Sequence, residues 1–182
     1  MELQFGYWYF EKNFNKKFCN RIIKYALDKK QKTAITGQKE RKNFSKKYLQ
    51  DLKKQRDSNI VWLDDQWIYD EIHPYVDSAN RNAKWNYQWD WSEQCQFTIY
   101  SKNQHYDWHK DMFAEPNQKP GNGYNKVRKL STTILLNDPS EYSRGEFGSM
   151  IVFPSFTWHR VKPVTKGVRY SLVIWHNGHP FS

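Results

Sequence analysis

The second half of the chain alternates short runs of β-branched and aromatic residues with turn-forming residues. Runs of this composition and length are typical of strands in an antiparallel sheet. They predict five strands, at residues 94–101, 128–136, 149–153, 157–164 and 168–175. Stretches rich in Pro, Gly, Asn and Ser at residues 114–126 and 137–145 predict loops between them.

The first half of the chain has helical spacing instead. An aromatic run at residues 3–10 predicts one strand, and Asn13 is the expected N-cap of a helix in which Phe14, Phe18, Ile22 and Tyr25 share a face. A second helix is predicted over residues 64–83, with Pro74 kinking or splitting it. Helices followed by many short strands predict a mainly β, α+β fold, a β-sandwich or jelly roll with helices on one sheet.

Length and composition fit one globular domain. The chain has 182 residues and no internal repeat, so we expect a single domain over 1–182, with a helical support region at 1–84 and a β core at 85–182. Aromatic residues make up 18% of the chain although the mean hydropathy is −0.99, which argues against disorder.

The chain shows no targeting or membrane signal. No apolar run approaches the ~20 residues that span a bilayer, and the N-terminus lacks the pattern of a signal peptide. Cys19 and Cys95 stand alone, without metal-binding spacing, and are expected to be free thiols. We therefore expect a cytoplasmic protein, either bacterial or acting in the host cell of a phage.

The net charge of +10 raises the question of a nucleic-acid partner. Residues 39–56 hold eight Lys or Arg against Glu40 and Asp51, which predicts a solvated basic loop more readily than a phosphate-binding surface. A nucleic-acid partner is therefore an alternative that the sequence does not favour.

Two overlapping His-x-Asp pairs, His105/Asp107 and His109/Asp111, are candidates for binding a metal ion. Residues i and i+2 of a strand point to the same face, so either pair presents an imidazole and a carboxylate together. With His159 from another strand, either pair forms the two-His, one-carboxylate set that suits non-haem Fe(II). Spacing alone does not choose between the pairs, and a polar surface strand would look similar.

Arg169 lies ten residues beyond His159, in a run that is otherwise suited to a buried strand. A buried arginine needs an anionic partner, and its planar fork fits the distal carboxylate of a dicarboxylic acid. The alternative is an ion pair that only supports the fold.

These segments resemble the prolyl 4-hydroxylase branch of the 2-oxoglutarate/Fe(II) oxygenases, especially small bacterial and phage members. The resemblance is carried by Tyr100…His105-Tyr106…His109-x-Asp111 and by GSMIVFPSFTWHRVKPVTKGVRYSLVIW, and it runs from about residue 60 to the C-terminus. It implies a double-stranded β-helix, with the metal held by His109, Asp111 and His159. It also implies that Arg169 binds the C5 carboxylate of 2-oxoglutarate, with Tyr100 and Ser171 beside the co-substrate.

The same resemblance implies an activity. A family member of this kind uses Fe(II), 2-oxoglutarate and O2, with ascorbate as a reductant, to hydroxylate an unactivated C–H bond. The expected substrate is a prolyl residue of a peptide or protein. The alternatives are a free amino acid or small metabolite and, less favoured, a nucleic acid.

Several further residues are expected near the site. Trp175, Arg128 and His105 are candidates for a supporting or substrate-contacting role, and Arg128 could meet either substrate or an internal acid. An aromatic shell is expected to exclude water from the metal; it comprises Trp108, Phe113, Phe153, Trp158 and Trp175.

Two features near the end of the chain do not fit the pattern as simply. Gly145-Glu146-Phe147 resembles the Gly-Gly-Glu strand of the family, but Gly148 follows at once, which indicates either a shortened hairpin or missing residues. His176 and His179, in the polar C-terminal segment, are expected at the surface.

Overall fold

The computed structural model describes residues 3–34, 45–141 and 146–181. Within them lie three α-helices, α1 (Lys16–Leu27), α2 (Lys46–Gln55) and α3 (Gln66–Asn82), and a 3-10 turn at Pro139–Glu141. The strands are β1 (Trp8–Phe10), β2 (Lys32–Thr33), β3 (Arg56–Asp57), β4 (Asn59–Leu63), β5 (Trp91–Ser92), β6 (Cys95–Tyr100), β7 (His105–His109), β8 (Val127–Leu135), β9 (Met150–Pro154), β10 (His159–Val161) and β11 (Arg169–Gly178).

The strands form two antiparallel sheets. The larger has the order β1-β9-β8-β11-β6-β4-β2, with β5 also paired to β11, and the smaller has the order β10-β7-β3. One cavity is lined by side chains from both sheets and therefore lies between them. The N-terminal part thus supplies strands to both sheets as well as helices.

The long strand β11 shows how the large sheet separates core from cavity. Leu172 and Ile174 are fully buried in the hydrophobic core, whereas Ser171, Val173 and Trp175 line the cavity. This alternation follows from the two-residue period of a strand. The core on the other face is completed by α1 and α3, through the buried side chains of Cys19, Ile22, Ala26, Ile68, Ile72, Val76 and Ala79.

The predicted element boundaries need several corrections. The first strand covers only Trp8–Phe10, and β10 is shorter than the predicted 157–164. Asn15 rather than Asn13 caps α1, because its side-chain oxygen accepts a hydrogen bond from the Phe18 backbone N–H at 2.9 Å. Pro74 lies inside α3, which continues to Asn82 without being split.

The basic segment is not simply a loop. Residues 39–44 lie outside the described residues, but residues 46–55 form α2 and residues 56–57 form β3. Within this helix Leu52 is half-buried, while Lys47, Lys53 and Lys54 are exposed. The high charge obscured a helix that lies beside β3 and β7.

The short connection before β9 is a tight turn closed by Gly148. Its φ is +68°, its N–H donates to the Leu135 carbonyl at 2.9 Å, and its carbonyl accepts from the Phe14 N–H at 2.9 Å. A Cβ atom at this position would lie 2.1 Å from the Phe14 carbonyl oxygen. Only glycine therefore permits this approach between the N-terminal segment and the large sheet.

The two cysteines are free and buried, as expected. Among the described residues, no helix has the length and apolar character needed to cross a membrane. The cellular location stays a prediction.

The expectation that His176 lies at the surface is wrong. Its side chain is fully buried, with Nδ1 2.8 Å from the Ser92 hydroxyl and Nε2 2.9 Å from the Thr132 hydroxyl. The polar composition of the C-terminal segment was misleading because β11 continues through it to Gly178. Burial lowers the pKa of His176 to about 3, so the folded protein holds this imidazole neutral.

The buried imidazole should make stability depend on pH. The folded-state pKa lies below the usual value of 6.5, so the contribution of His176 is present above pH 6.5 and is lost as the pH falls below it. We expect this group to lower the free energy of unfolding by about 2 kcal/mol between pH 7 and pH 5. Urea unfolding at several pH values should show that His176→Gln loses this part of the pH dependence. The matched exposed variant, His179→Gln, should keep it, and equal slopes in the two variants would contradict the assignment.

Candidate metal and co-substrate site

His109, Asp111 and His159 converge at one end of the cavity. His109 ends β7, Asp111 follows two residues later, and His159 begins β10, where it is the direct register partner of His109. The backbone N–H groups of Asp111 and Met112 both donate to the Ser155 carbonyl at 2.9 Å. These two bonds fix the segment after β7 against the segment that leads to His159.

The three side chains present one ligand atom each to a common point. Asp111 Oδ1 lies 3.7 Å from His109 Nε2, and Asp111 Oδ2 lies 3.5 Å from His159 Nε2. All three ligand atoms lie within 4.8 Å of one another. This is the spacing expected of groups that surround a single metal ion.

Hydrogen bonds on the far side of each imidazole prepare both rings to bind a metal. His109 Nδ1 donates to the Asp107 carbonyl at 2.7 Å, and His159 Nδ1 donates to the Thr157 carbonyl at 3.0 Å. In each ring the Nε2 lone pair is therefore directed to the site, the arrangement that metal-binding histidines usually have. Burial also lowers the pKa of His109 to about 4, which keeps its imidazole neutral at pH 7.

The donor set fits Fe(II). Two neutral imidazoles and one carboxylate occupy one side of the site, and the rest of the cavity lies open to exogenous ligands. This is the donor pattern of non-haem Fe(II) centres that also bind a substrate and O2.

Tyr106 covers one face of the His109 ring. Its ring is stacked on that of His109, with 3.4 Å between the centroids and 12° between the planes. Burial raises the pKa of Tyr106 to about 12, so its hydroxyl stays protonated. Tyr106 lies within the sequence motif that contains His109 and Asp111, but the motif alone did not predict a role for it.

The three predicted co-substrate residues meet at another part of the same cavity. Arg169 is the register partner of Tyr100, and its guanidinium carbon lies 5.5 Å from the centre of the Tyr100 ring. Its Nη1 donates to the Ser171 hydroxyl at 3.1 Å. The structure therefore brings the cation and both hydroxyl residues together in the cavity that holds the three candidate metal ligands.

Arg128 meets an internal acid. Its Nε and Nη2 each donate to the Glu93 carboxylate at 2.6 Å, and Nη1 donates to the Asp111 carbonyl at 3.1 Å. The guanidinium also lies over Trp175, 3.9 Å from the ring centre. Arg128 therefore holds the backbone of one candidate ligand, and Glu93 is a supporting residue that sequence reasoning missed because it lies 35 positions away.

Trp175 lines the cavity with an unsatisfied donor. Its Nε1 is buried and has no hydrogen-bond partner among residues 3–34, 45–141 and 146–181. A buried indole N–H normally finds an acceptor, so an oxygen atom of a bound molecule would complete it.

The other predicted residues near the metal do not all belong there. His105 begins β7, and its Nε2 donates to the Lys54 carbonyl at 2.9 Å, so it joins α2 to the small sheet. The aromatic shell is wrong in part: Trp108 and Trp158 are 53% and 60% exposed. Trp108 directly precedes the inward-pointing His109 within β7 and therefore points away from the site, and Trp158 lies just before β10. Phe153 does pack on His159, with 4.7 Å between the ring centres.

Comparison with known proteins agrees with this arrangement. Residues 95–177 match the family model described as the 2OG-Fe(II) oxygenase superfamily. A PKHD-type hydroxylase of Xylella fastidiosa is 34% identical over 97 residues, which cover 43% of this chain and 42% of that protein. The aligned region thus spans less than half the length of this curated relative.

Solved structures resemble nearly the whole chain. A viral collagen prolyl hydroxylase of Paramecium bursaria Chlorella virus-1, solved with 2-oxoglutarate, superposes with a TM-score of 0.68 over 96% of this chain and 97% of that one, at 16% identity. A prolyl hydroxylase of Trichoplax adhaerens, solved with a peptide fragment of hypoxia inducible factor, has a TM-score of 0.62 over 94% of this chain and 83% of that one, also at 16% identity.

The comparisons confirm the predicted resemblance and the predicted fold class. The family match contains all the strands that carry the cavity's candidate ligands, from β6 to β11. At 16% identity the solved structures establish the fold only. Any activity has to be argued from the residues of this chain. Residues 95–177 thus resemble the 2OG-Fe(II) oxygenase superfamily, and the chain as a whole has the jelly-roll-like fold of the prolyl hydroxylases on which it superposes.

Proposed function

We propose that this protein is an Fe(II)- and 2-oxoglutarate-dependent dioxygenase that hydroxylates an unactivated C–H bond. One observation carries the proposal: the convergent His109, Asp111 and His159 share a cavity with Arg169. A metal held by these three residues keeps positions open for a chelating ligand, and Arg169 fits a distal carboxylate; 2-oxoglutarate supplies both groups.

Each residue of the cavity has a distinct role in this proposal. His109, Asp111 and His159 hold the metal, while Arg169, Ser171 and Tyr100 bind the distal carboxylate of the co-substrate. When bound, Fe(II) supplies the oxidative chemistry by which 2-oxoglutarate, O2 and R–H become succinate, CO2 and R–OH. Tyr106 and Phe153 shield the histidine rings from water. Ascorbate is the expected reductant for keeping the metal ferrous.

We infer that the substrate is a prolyl residue in a peptide or protein. The inference is supported by the fold, which is shared with prolyl hydroxylases, and by the Trichoplax enzyme, which was solved with a peptide. The Trp175 N–H, unsatisfied beside the metal side chains, is the group we expect to donate to a substrate oxygen. Arg128, stacked on Trp175, would hold that indole in place.

Two measurements test the proposal. Fe(II) and 2-oxoglutarate, added anaerobically to the metal-free protein, should produce the weak visible charge-transfer band of the chelate. On admission of O2, Pro-containing peptides should gain one oxygen atom by mass, with matching release of succinate. A folded protein that gives no chelate band would overturn the oxygenase assignment. A band with turnover on free amino acids but on no peptide would overturn only the substrate assignment.

A further inference from the structure

Arg56 is a buried cation in the same cavity. It begins β3, at the point where the chain crosses from the small sheet to β4 of the large sheet. Its side chain lines the cavity, although the residue is only 7% exposed. Its guanidinium carbon lies 4.6 Å from the centre of the Tyr106 ring, and that ring is itself stacked on His109.

The guanidinium of Arg56 is incompletely satisfied. Nε donates to the Ser58 hydroxyl at 3.0 Å. Within the described ranges this is its one hydrogen bond, and no described carboxylate lies within 4.0 Å of it. An arginine has five N–H donors, and a buried charge without an anion is costly. The remaining donors therefore call for an anion that enters the cavity from solution.

The charges that line the cavity favour a dianionic ligand. Arg56 and Arg169 are positive, and Asp111 is the one acidic residue lining the cavity in the part of the chain that the structure describes. The cavity is thus positive before any metal binds, and a divalent metal would add to that charge. A molecule with two carboxylates compensates this charge better than one with a single carboxylate.

Strand register places Arg56 at the Arg169 end of the cavity. Arg169 pairs with Tyr100 on β6, and the neighbouring Ile99 pairs with Asn59 on β4. Continuing that register brings Ser58 beside Tyr100, and Ser58 is the hydrogen-bond partner of Arg56. On its other side, Arg56 pairs with Tyr106 of β7.

We propose that Arg56 is a second cation for the distal carboxylate of the co-substrate, so that this carboxylate is held between two arginines from opposite sheets. The inference rests on the proposed function, because it presupposes that a 2-oxo acid binds in the cavity. It makes Arg56 a specificity-determining residue that distinguishes 2-oxo diacids from 2-oxo monoacids.

The test compares two ligands and three variants. 2-Oxoglutarate and 2-oxopentanoate have the same five-carbon chain, but the second has a methyl group where the first has its distal carboxylate. Their affinities are measured anaerobically with Fe(II), from the charge-transfer band and from the shift in melting temperature. The variants are Arg56→Met, Arg56→Lys and, as a matched control, Arg160→Met, whose arginine is exposed on β10.

We expect Arg56→Met to weaken 2-oxoglutarate about 10- to 100-fold, while 2-oxopentanoate changes less than about threefold. Arg56→Lys should lose less, because it keeps the charge but not the fork, and Arg160→Met should match the wild type. Circular dichroism and Fe(II) binding without a 2-oxo acid check that each variant is folded.

Other results would overturn the inference. Equal weakening of both ligands would mean that Arg56 only supports the fold. An unchanged 2-oxoglutarate affinity would exclude it from the distal site, and a raised KM for the peptide alone would place it at the substrate. If the wild-type protein itself bound neither 2-oxo acid, the proposed function would fail instead, so the two failures are distinguishable.

Discussion

Asp111→Ala is expected to lose more than about 100-fold in Fe(II) affinity and, with it, all measurable hydroxylation. Changes to residues that merely support metal ligands cost 10- to 100-fold, so removing the single carboxylate should cost more. Asp111 is the residue that lies within reach of both imidazoles, at 3.7 Å and 3.5 Å. Fe(II) affinity is measured anaerobically by competition with a coloured chelator, and turnover by succinate release.

The matched control for this prediction is the neighbouring pair. Asp107→Ala removes the same side chain two positions earlier but keeps the backbone carbonyl that accepts from His109 Nδ1. His105→Ala removes an imidazole whose partner is the Lys54 carbonyl. Both variants should bind Fe(II) like the wild type. Loss of Fe(II) in Asp107→Ala, together with its retention in Asp111→Ala, would show that the wrong His-x-Asp pair had been chosen.

The choice between those two His-x-Asp pairs shows how much of the candidate metal site can be predicted from the sequence. The spacing of a strand predicts that a histidine and an aspartate two positions apart share a face, and it predicts this equally for both pairs. The family resemblance favoured His109 and Asp111, and the structure brings these two residues together with His159. The discriminating contact, between β7 and β10, joins residues 50 positions apart, and no local pattern contains it.

The same two-residue period explains one wrong prediction. Trp108 and Trp158 were expected in a shell around the metal, yet each directly precedes a histidine that points inward. Adjacent residues of a strand point to opposite faces, which explains why Trp108 in β7 is exposed. Trp158 lies just before β10 and is exposed as well.

Other features could not be read from composition. His176 looked like a surface residue because Asn, Gly and Pro follow it. It is buried because β11 continues through it, and its imidazole forms hydrogen bonds with residues of the neighbouring strands β5 and β8. Arg56 lay in a segment where charge indicated solvent exposure. Its burial depends on the pairing of β3 with β7, a long-range contact that sequence reasoning did not foresee.

Arg169→Ala is expected to weaken 2-oxoglutarate about 100- to 1,000-fold, because it leaves a carboxylate without its charged partner in a partly buried site. Arg169 already donates to Ser171 and lies over Tyr100, so its guanidinium is held at the distal end of the cavity before any ligand binds. Arg169→Lys should recover part of the affinity, since it keeps the charge but loses the planar fork. Titration of the anaerobic Fe(II) protein, followed by the charge-transfer band, gives the affinity of each variant.

Fe(II) binding without 2-oxoglutarate decides what the loss in Arg169→Ala means. Arg169 is not one of the three candidate metal ligands and donates to the Ser171 hydroxyl, so the variant should hold Fe(II) as tightly as the wild type. An equal fall in Fe(II) and 2-oxoglutarate affinity would instead show that Arg169 maintains the fold around β11. Because Arg56 remains in the variant, the residual affinity for 2-oxoglutarate should still exceed that for 2-oxopentanoate, and Arg56→Met in the Arg169→Ala background should remove this difference.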